Sequence, residues 1–182
     1  MTAIAELAFP LFTIDFEASS LEHMSYPIEI GIARWDGLGS CIAGWSSLII
    51  PTKQWCASQS WTKEAQELHG LSPPDLAHGI PPASALTLAN RLANERTAYC
   101  DGGSYDMYWL TRLSVAASKS PDFSLGSWGG LIDMLSTCDQ ETITEWLEDN
   151  PSIHRARPDA ERLLRALAYA AGETPAIVDI QL

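Results

Sequence analysis

The sequence predicts an α/β fold, a mixed sheet of five strands flanked by helices in one domain spanning residues 1–182. Three observations carry this. Strand-like stretches crowd the first third of the chain, helical and strand patterns alternate after it, and a long amphipathic helix closes it. At 182 residues, 46% of them apolar and 19% charged, the chain has the composition of a packed globular protein rather than a disordered one. That length buries roughly 70% of the surface the unfolded chain would expose.

"PLFTIDF", residues 10–16, is the first strand. "YPIEIGIARW", residues 26–35, is the second, because Ile28, Ile30 and Ile32 alternate onto one face. "WDGLGS", residues 35–40, turns the chain back, since Asp-Gly takes positive φ at little cost, and "SCIAGWSSLIIP" is the third strand. "WTKEAQELHG" then reads as a helix with Gly70 just past its end, and "SPPDLAHGIPP" as a loop because of its prolines. "ASALTLANRLANE" is a second helix and "RTAYC" a fourth strand. "SYDMYWLTRLSVAA" is a helix with Ser104 as its N-cap. Residues 120–150 hold a short strand near "DFSLGSW" and two short helices. In "PSIHRARPDAERLLRALAYAAGE", Leu163, Leu164, Leu167 and Ala171 form an apolar stripe opposite Arg and Glu.

Charge and cysteine content limit the partners. Lys and Arg total 11 against 23 for Asp and Glu, a formal net charge of −12, which argues against binding along a polyanion without regard to sequence. Cys41, Cys56, Cys100 and Cys138 are scattered with no Cys-x-x-Cys pair, which argues against a thiolate metal site and points to a reduced setting. No apolar run approaches the ~20 residues that span a bilayer, so a cytoplasmic protein without a membrane partner is expected.

Asp15 and Glu17 stand two apart at the end of an apolar strand, and so side by side on one face. Such a pair resists ionisation unless a cation lies between them. Further oxygen ligands come from Asp106, in the first turn of the helix after "RTAYC", and from Asp159, near the start of the last helix. His154 lies five residues before Asp159. Four carboxylates of this kind hold two Mg²⁺ or Mn²⁺ ions about 3.5–4 Å apart in phosphoryl-transfer enzymes, with a His placed to act as general base. Each piece alone is weak: Asp-x-Glu recurs at Asp139-Gln140-Glu141 with no strand before it, and an acid in a first helical turn is often only a cap. Their order along the chain gives them weight.

"IDFEASSL", "CDGGSYDMYWL" and "IHRARPDAERLL" together resemble the three motifs of the DEDDh 3′–5′ exonucleases of the DnaQ-like superfamily, across residues 11 to about 170. "EAQELHGLSPPDLAHGIPP" resembles the segment that family carries before its second motif. The resemblance implies a ribonuclease H-like fold and two-metal hydrolysis releasing nucleoside 5′-monophosphates from a 3′ end. It implies Asp15, Glu17, Asp106 and Asp159 as metal ligands, His154 as general base, and Phe16, Ala18 and Leu21 as substrate contacts. The chain departs from the pattern at Ser19-Ser20, where the family commonly has Thr-Gly, and at Gly102, where it often has Asn. Asp101, beside Gly102, is a rival or auxiliary ligand to Asp106. Expected partners are 3′ ends of DNA or RNA, single-stranded or short, and seven Trp residues lean towards a homodimer. Two other readings share the fold: a catalytically silent binding or scaffold protein, and a phosphodiesterase acting on a small nucleotide.

Overall fold

The computed structural model describes residues 2–181. Six strands form one mixed sheet: β1 (Leu11–Ala18), β2 (Pro27–Trp35), β3 (Ile42–Leu48), β4 (Thr97–Cys100), β5 (Ser124–Ser127) and β6 (Ile177–Asp179), in the order β5-β4-β1-β2-β3-β6. The first three are antiparallel neighbours, while β4 runs parallel to β1, β5 to β4 and β6 to β3. The helices are α1 (Lys53–Ala57), α2 (Lys63–His69), α3 (Pro82–Ala93), α4 (Ser104–Ala117), α5 (Trp128–Ile132), α6 (Thr137–Asp149) and α7 (Ala156–Ala170).

Both faces of the sheet are covered. Phe12, Ile14 and Phe16 of β1 and Ile28, Ile30 and Ile32 of β2 pack with Leu86 and Ala89 of α3 and Leu110 and Leu113 of α4. On the other face Leu11, Ala33, Trp35 and Ile42 meet Leu163, Leu164 and Leu167 of α7, with α5 and α6 outside them. The alternation read in β2 is thus one half of a strand buried on both sides. Its second half consists of Glu29, Gly31 and Ala33, small residues and one acid, against which α7 lies. At Gly31 an added Cβ would fall 2.2 Å from the backbone carbon of Ala156, so glycine sets how closely α7 approaches the sheet.

The mixed sheet flanked by helices matches expectation, with local differences that include the short, unexpected helix α1. The sheet has a sixth strand, β6, whose three residues are too few to show a period; the Arg157–Asp179 ion pair (2.5 Å) and the Arg157 bond to the Val178 carbonyl tie it down. Pro73–His78 forms a 3₁₀ helix rather than a loop, because Asp75 accepts from both the Ser72 amide (2.8 Å) and hydroxyl (2.6 Å), and proline costs nothing where a helix has no partner for its N–H. The cap of α4 is Gly103, at φ 59°, and Ser104 is the first helical residue. α6 runs to 13 residues rather than being short, and it absorbs Asp139-Gln140-Glu141: Asp139 accepts from the Ser136 hydroxyl at the helix start (2.7 Å), which is a cap and not a site. Gly70 closes α2 at φ 72°, as expected. All seven Trp are buried or half-buried, so they supply no exposed patch for a dimer.

Candidate active site

Alternation along β1 determines where its acids go. Thr13 faces α7, its hydroxyl donating to the Ala160 carbonyl (2.6 Å), and Asp15 and Glu17 follow on the same face towards the start of that helix. Because β4 is parallel to β1, their C-terminal ends share one edge of the sheet, where open α/β sheets place their ligands. The chain leaving β4 turns through Gly102 and Gly103 into α4 and delivers Asp106 to that edge. A cleft of about 790 Å³ opens there, within the ~300–1,000 Å³ typical of ligand sites. All the residues singled out from the sequence line it: Asp15, Glu17, Asp106, His154, Asp159, Phe16, Ala18, Leu21 and Asp101. Glu17, His154 and Asp159 each place a potential ligand atom within 4.8 Å of the others.

The acids are held in an environment that opposes their charge. Burial, then the charges of Glu17, Asp106, Asp101 and Asp159, push the Asp15 carboxyl well above its ordinary range. Burial, followed by Glu29 and Asp159, lifts Glu17 to about 8 in spite of Arg155. Asp106 is raised to about 6, chiefly by burial. It is 1% exposed, and its Oδ2 is buried without a hydrogen-bond partner among the described residues. A Cβ on Gly102 would lie 2.6 Å from that oxygen, so glycine leaves the carboxylate its place.

The turn into α7 is fixed from two sides. Glu29, the cross-strand partner of Glu17, is 2% exposed and accepts both Arg155 Nε (2.9 Å) and Nη2 (2.8 Å) as well as the Ala156 amide (3.1 Å). A buried carboxylate is tolerable when a bidentate guanidinium and a helix N-terminal N–H satisfy it. Asp159 accepts from the Ser152 hydroxyl (2.5 Å) and from the Ile153 and Arg155 amides (3.2 Å each), so it caps its own turn while facing the cleft. His154 sits between these anchors at φ 57°, a left-handed conformation that costs a non-glycine residue of order 1–3 kcal/mol and clusters at functional sites. Its ring makes no hydrogen bond within the described residues.

Of the three expected substrate contacts, Phe16 (3% exposed) and Ala18 (6%) have their side chains in the core, whereas Leu21 (66%) stands apolar on the rim. Among the cleft residues that the sequence does not single out are His69 and Arg162. His69 accepts the Leu71 amide at Nδ1 (3.0 Å), which places its proton on Nε2, and burial lowers its pKa. Arg162 lies one turn beyond Asp159 on α7, a spacing from which it was legible. As a whole the cleft offers hard oxygen donors, mutually repelling acids and one orphaned buried oxygen, a donor set that suits small divalent cations of the Mg²⁺ or Mn²⁺ type.

No family profile and no curated protein matches this sequence. Solved structures do match in fold. One is a 3′-exonuclease in 3′-end-specific recognition of a histone mRNA stem-loop, at 13% identity and a TM-score of 0.65, covering 91% of this chain. Another is a full-length 3′-exonuclease at 15% identity and a TM-score of 0.64, covering 87% of this chain. This chain spans 64% of the first and 80% of the second. The layered sheet is therefore one that 3′-exonucleases use.

Proposed function

We propose that the protein is a divalent-metal-dependent 3′–5′ exonuclease that hydrolyses the terminal phosphodiester of short or single-stranded nucleic acid and releases nucleoside 5′-monophosphates. The observation that carries this is the convergence of Asp15, Glu17, Asp106, Asp159 and His154, from three distant stretches of chain, on one cleft at the strand ends. The fold shared with 3′-exonucleases supports it, and the net charge of −12 favours contact with few phosphates.

Asp15, Glu17, Asp106 and Asp159 would hold two Mg²⁺ or Mn²⁺ ions, with Asp101 lining the same cleft. When bound, such ions stabilise charge on attacking and leaving oxygens and lower the pKa of water. The protein's own groups do the rest. Asp106 is fixed by burial and by the close approach of Gly102. The Glu29–Arg155 clamp and the Asp159 cap hold the His154 turn, so the imidazole is presented with its nitrogens free to take the proton of the attacking water. Leu21, apolar and exposed on the rim, gives the terminal base a surface to pack against without reading its edges.

The test is kinetic. With Mg²⁺ and a single-stranded oligomer, the wild type is expected to release 5′-mononucleotides, and His154→Ala to lower kcat by about 10²- to 10⁴-fold with metal affinity retained. Loss of metal affinity in step with activity would make His154 a ligand instead. A wild type inert on every oligomer and metal would remove the nuclease reading.

A further inference from the structure

The cleft contains one fixed positive charge. Among the described residues lining it, Arg162 is the single Lys or Arg, and it shares the cavity with the carboxylates of Asp15, Glu17, Glu22, Glu64, Asp101, Asp106 and Asp159. Its guanidinium is held rather than free. Nη2 donates to the Leu147 carbonyl (2.9 Å) and Nε to the Asn150 carbonyl, both at the C-terminal end of α6, where the helix dipole favours a cation. That anchoring leaves Nη1 without a hydrogen bond and the charge without an ion pair among the described residues, although seven acids share its cleft. A half-buried guanidinium with spare donors, lining a cavity and anchored to the end of α6, is prepared for an anion that is not part of this chain.

We infer that Arg162 binds a backbone phosphate of the substrate strand, the one immediately 5′ to the scissile linkage. This rests on the exonuclease reading above and adds the residue that grips the retained strand. The scissile phosphate belongs at the acids, and Arg162 lies three residues beyond Asp159 on α7, about 4.5 Å further along the helix axis. When a terminal nucleotide is removed from a 3′ end, the departing nucleotide carries no phosphate other than the scissile one. Every other phosphate within reach is on the 5′ side. Arg162 therefore supplies, in a chain of net charge −12, the contact that holds the strand for attack without any basic track outside the cleft.

The experiment neutralises one phosphate at a time. Oligomers carrying a methylphosphonate at each of the last internal linkages in turn are compared with the all-phosphate oligomer, by kcat/KM, for the wild type, Arg162→Gln and Arg162→Lys. Neutralising the linkage 5′ to the scissile one is expected to cost the wild type about tenfold and Arg162→Gln almost nothing further, because the contact is already gone. With all-phosphate oligomer, the magnitude of the log KM against log salt slope should fall by about 0.7 in Arg162→Gln and stay near the wild-type value in Arg162→Lys. A role limited to bracing α6 would lower the melting temperature and the rate while leaving the linkage-specific penalty and the salt slope untouched, and that result overturns the inference. If the wild type degrades oligomers with Mg²⁺ yet both enzymes show the same penalty, this inference alone falls. If it degrades none, the exonuclease reading and this inference fall together.

Discussion

Carried from pH 5 to pH 8 without divalent ions, the protein is expected to lose several kcal/mol of folding stability, and Mg²⁺ at pH 8 is expected to restore much of it. The cause is the buried acid cluster. Glu17 has a folded pKa of about 8 against 4.5 when unfolded, and Asp106 about 6 against 3.8. Asp15 is displaced in the same direction. Groups whose pKa is raised by folding bind protons more tightly in the native state, so stability falls as pH rises. That contribution is complete below the unfolded pKa and gone above the folded one. For Glu17 the loss runs from about pH 4.5 to about pH 8, and for Asp106 from about 3.8 to about 6. At about 1.4 kcal/mol for each pKa unit, Glu17 alone contributes on the order of 5 kcal/mol. A divalent cation reverses the sign by favouring the ionised acids, and a ligand that binds only the folded state raises its melting temperature. Glu17→Gln, neutral at every pH, is expected to melt higher than the wild type at pH 8 without metal, to respond less to pH, and to be inactive. Calorimetric melts from pH 5 to 8 with and without Mg²⁺ check all three. A melting temperature that climbs steadily to pH 8 and ignores Mg²⁺ would contradict the cluster's electrostatics.

Gly31→Ala is expected to be the most damaging single methyl group added to this chain. The new Cβ would fall 2.2 Å from the Ala156 carbonyl carbon and 2.3 Å from both the Ala156 oxygen and the Arg157 nitrogen. These are backbone atoms of the first turn of α7, and they cannot swing aside as a side-chain tip can, so the helix start must move. Overpacking usually costs 1–3 kcal/mol, and a backbone collision lies at or beyond the upper end, about 3 kcal/mol or more. For a chain of this size that is a fall of roughly 6–12 °C in melting temperature. Activity should fall further than stability, because the displaced turn carries His154, Asp159 and the Arg155 half of the Glu29 clamp. Gly44→Ala is the comparator: its Cβ would meet Glu161 Oε1 at 1.9 Å and Arg157 Nε at 2.7 Å, both on side chains that can turn away. Thermal melts and kcat measured well below the transition separate the two. A Gly31→Ala protein that melts with the wild type and keeps its kcat would show that α7 is not set by this contact.

The parts of this architecture that were legible in the sequence are those where burial imposes a period. Ile28, Ile30 and Ile32 mark β2, and Leu163, Leu164 and Leu167 mark α7. The acids became legible only as an ordered set, since Asp139-Gln140-Glu141 has the same spacing as the β1 pair and proves to be a helix cap. Elements held by a few side-chain contacts left no period to find. β6 is three residues paired with β3 and contacted by Arg157, 22 and 21 residues away, through Asp179 and Val178, and α1 is five residues opened by the Thr52 hydroxyl accepting the Trp55 amide. The same holds within the site. Asp106 was marked by its place after a strand, but the reason for Gly102 lies in a distance to that carboxylate. Glu29 carries no signal of its own in the sequence, and only its pairing with Arg155, 126 residues on, shows it fixing the turn of His154.

One measurement bears most directly on the claim that the acid cluster is a metal centre for removing nucleotides from a 3′ end. A single-stranded oligomer labelled at its 5′ end is incubated with the purified protein and Mg²⁺, and in parallel after exhaustive chelation. The expected result is a ladder that shortens one nucleotide at a time from the 3′ end, with 5′-mononucleotides as product, and no cleavage in the chelated sample. Early release of the 5′ label, internal cuts, or undiminished hydrolysis without metal would contradict it.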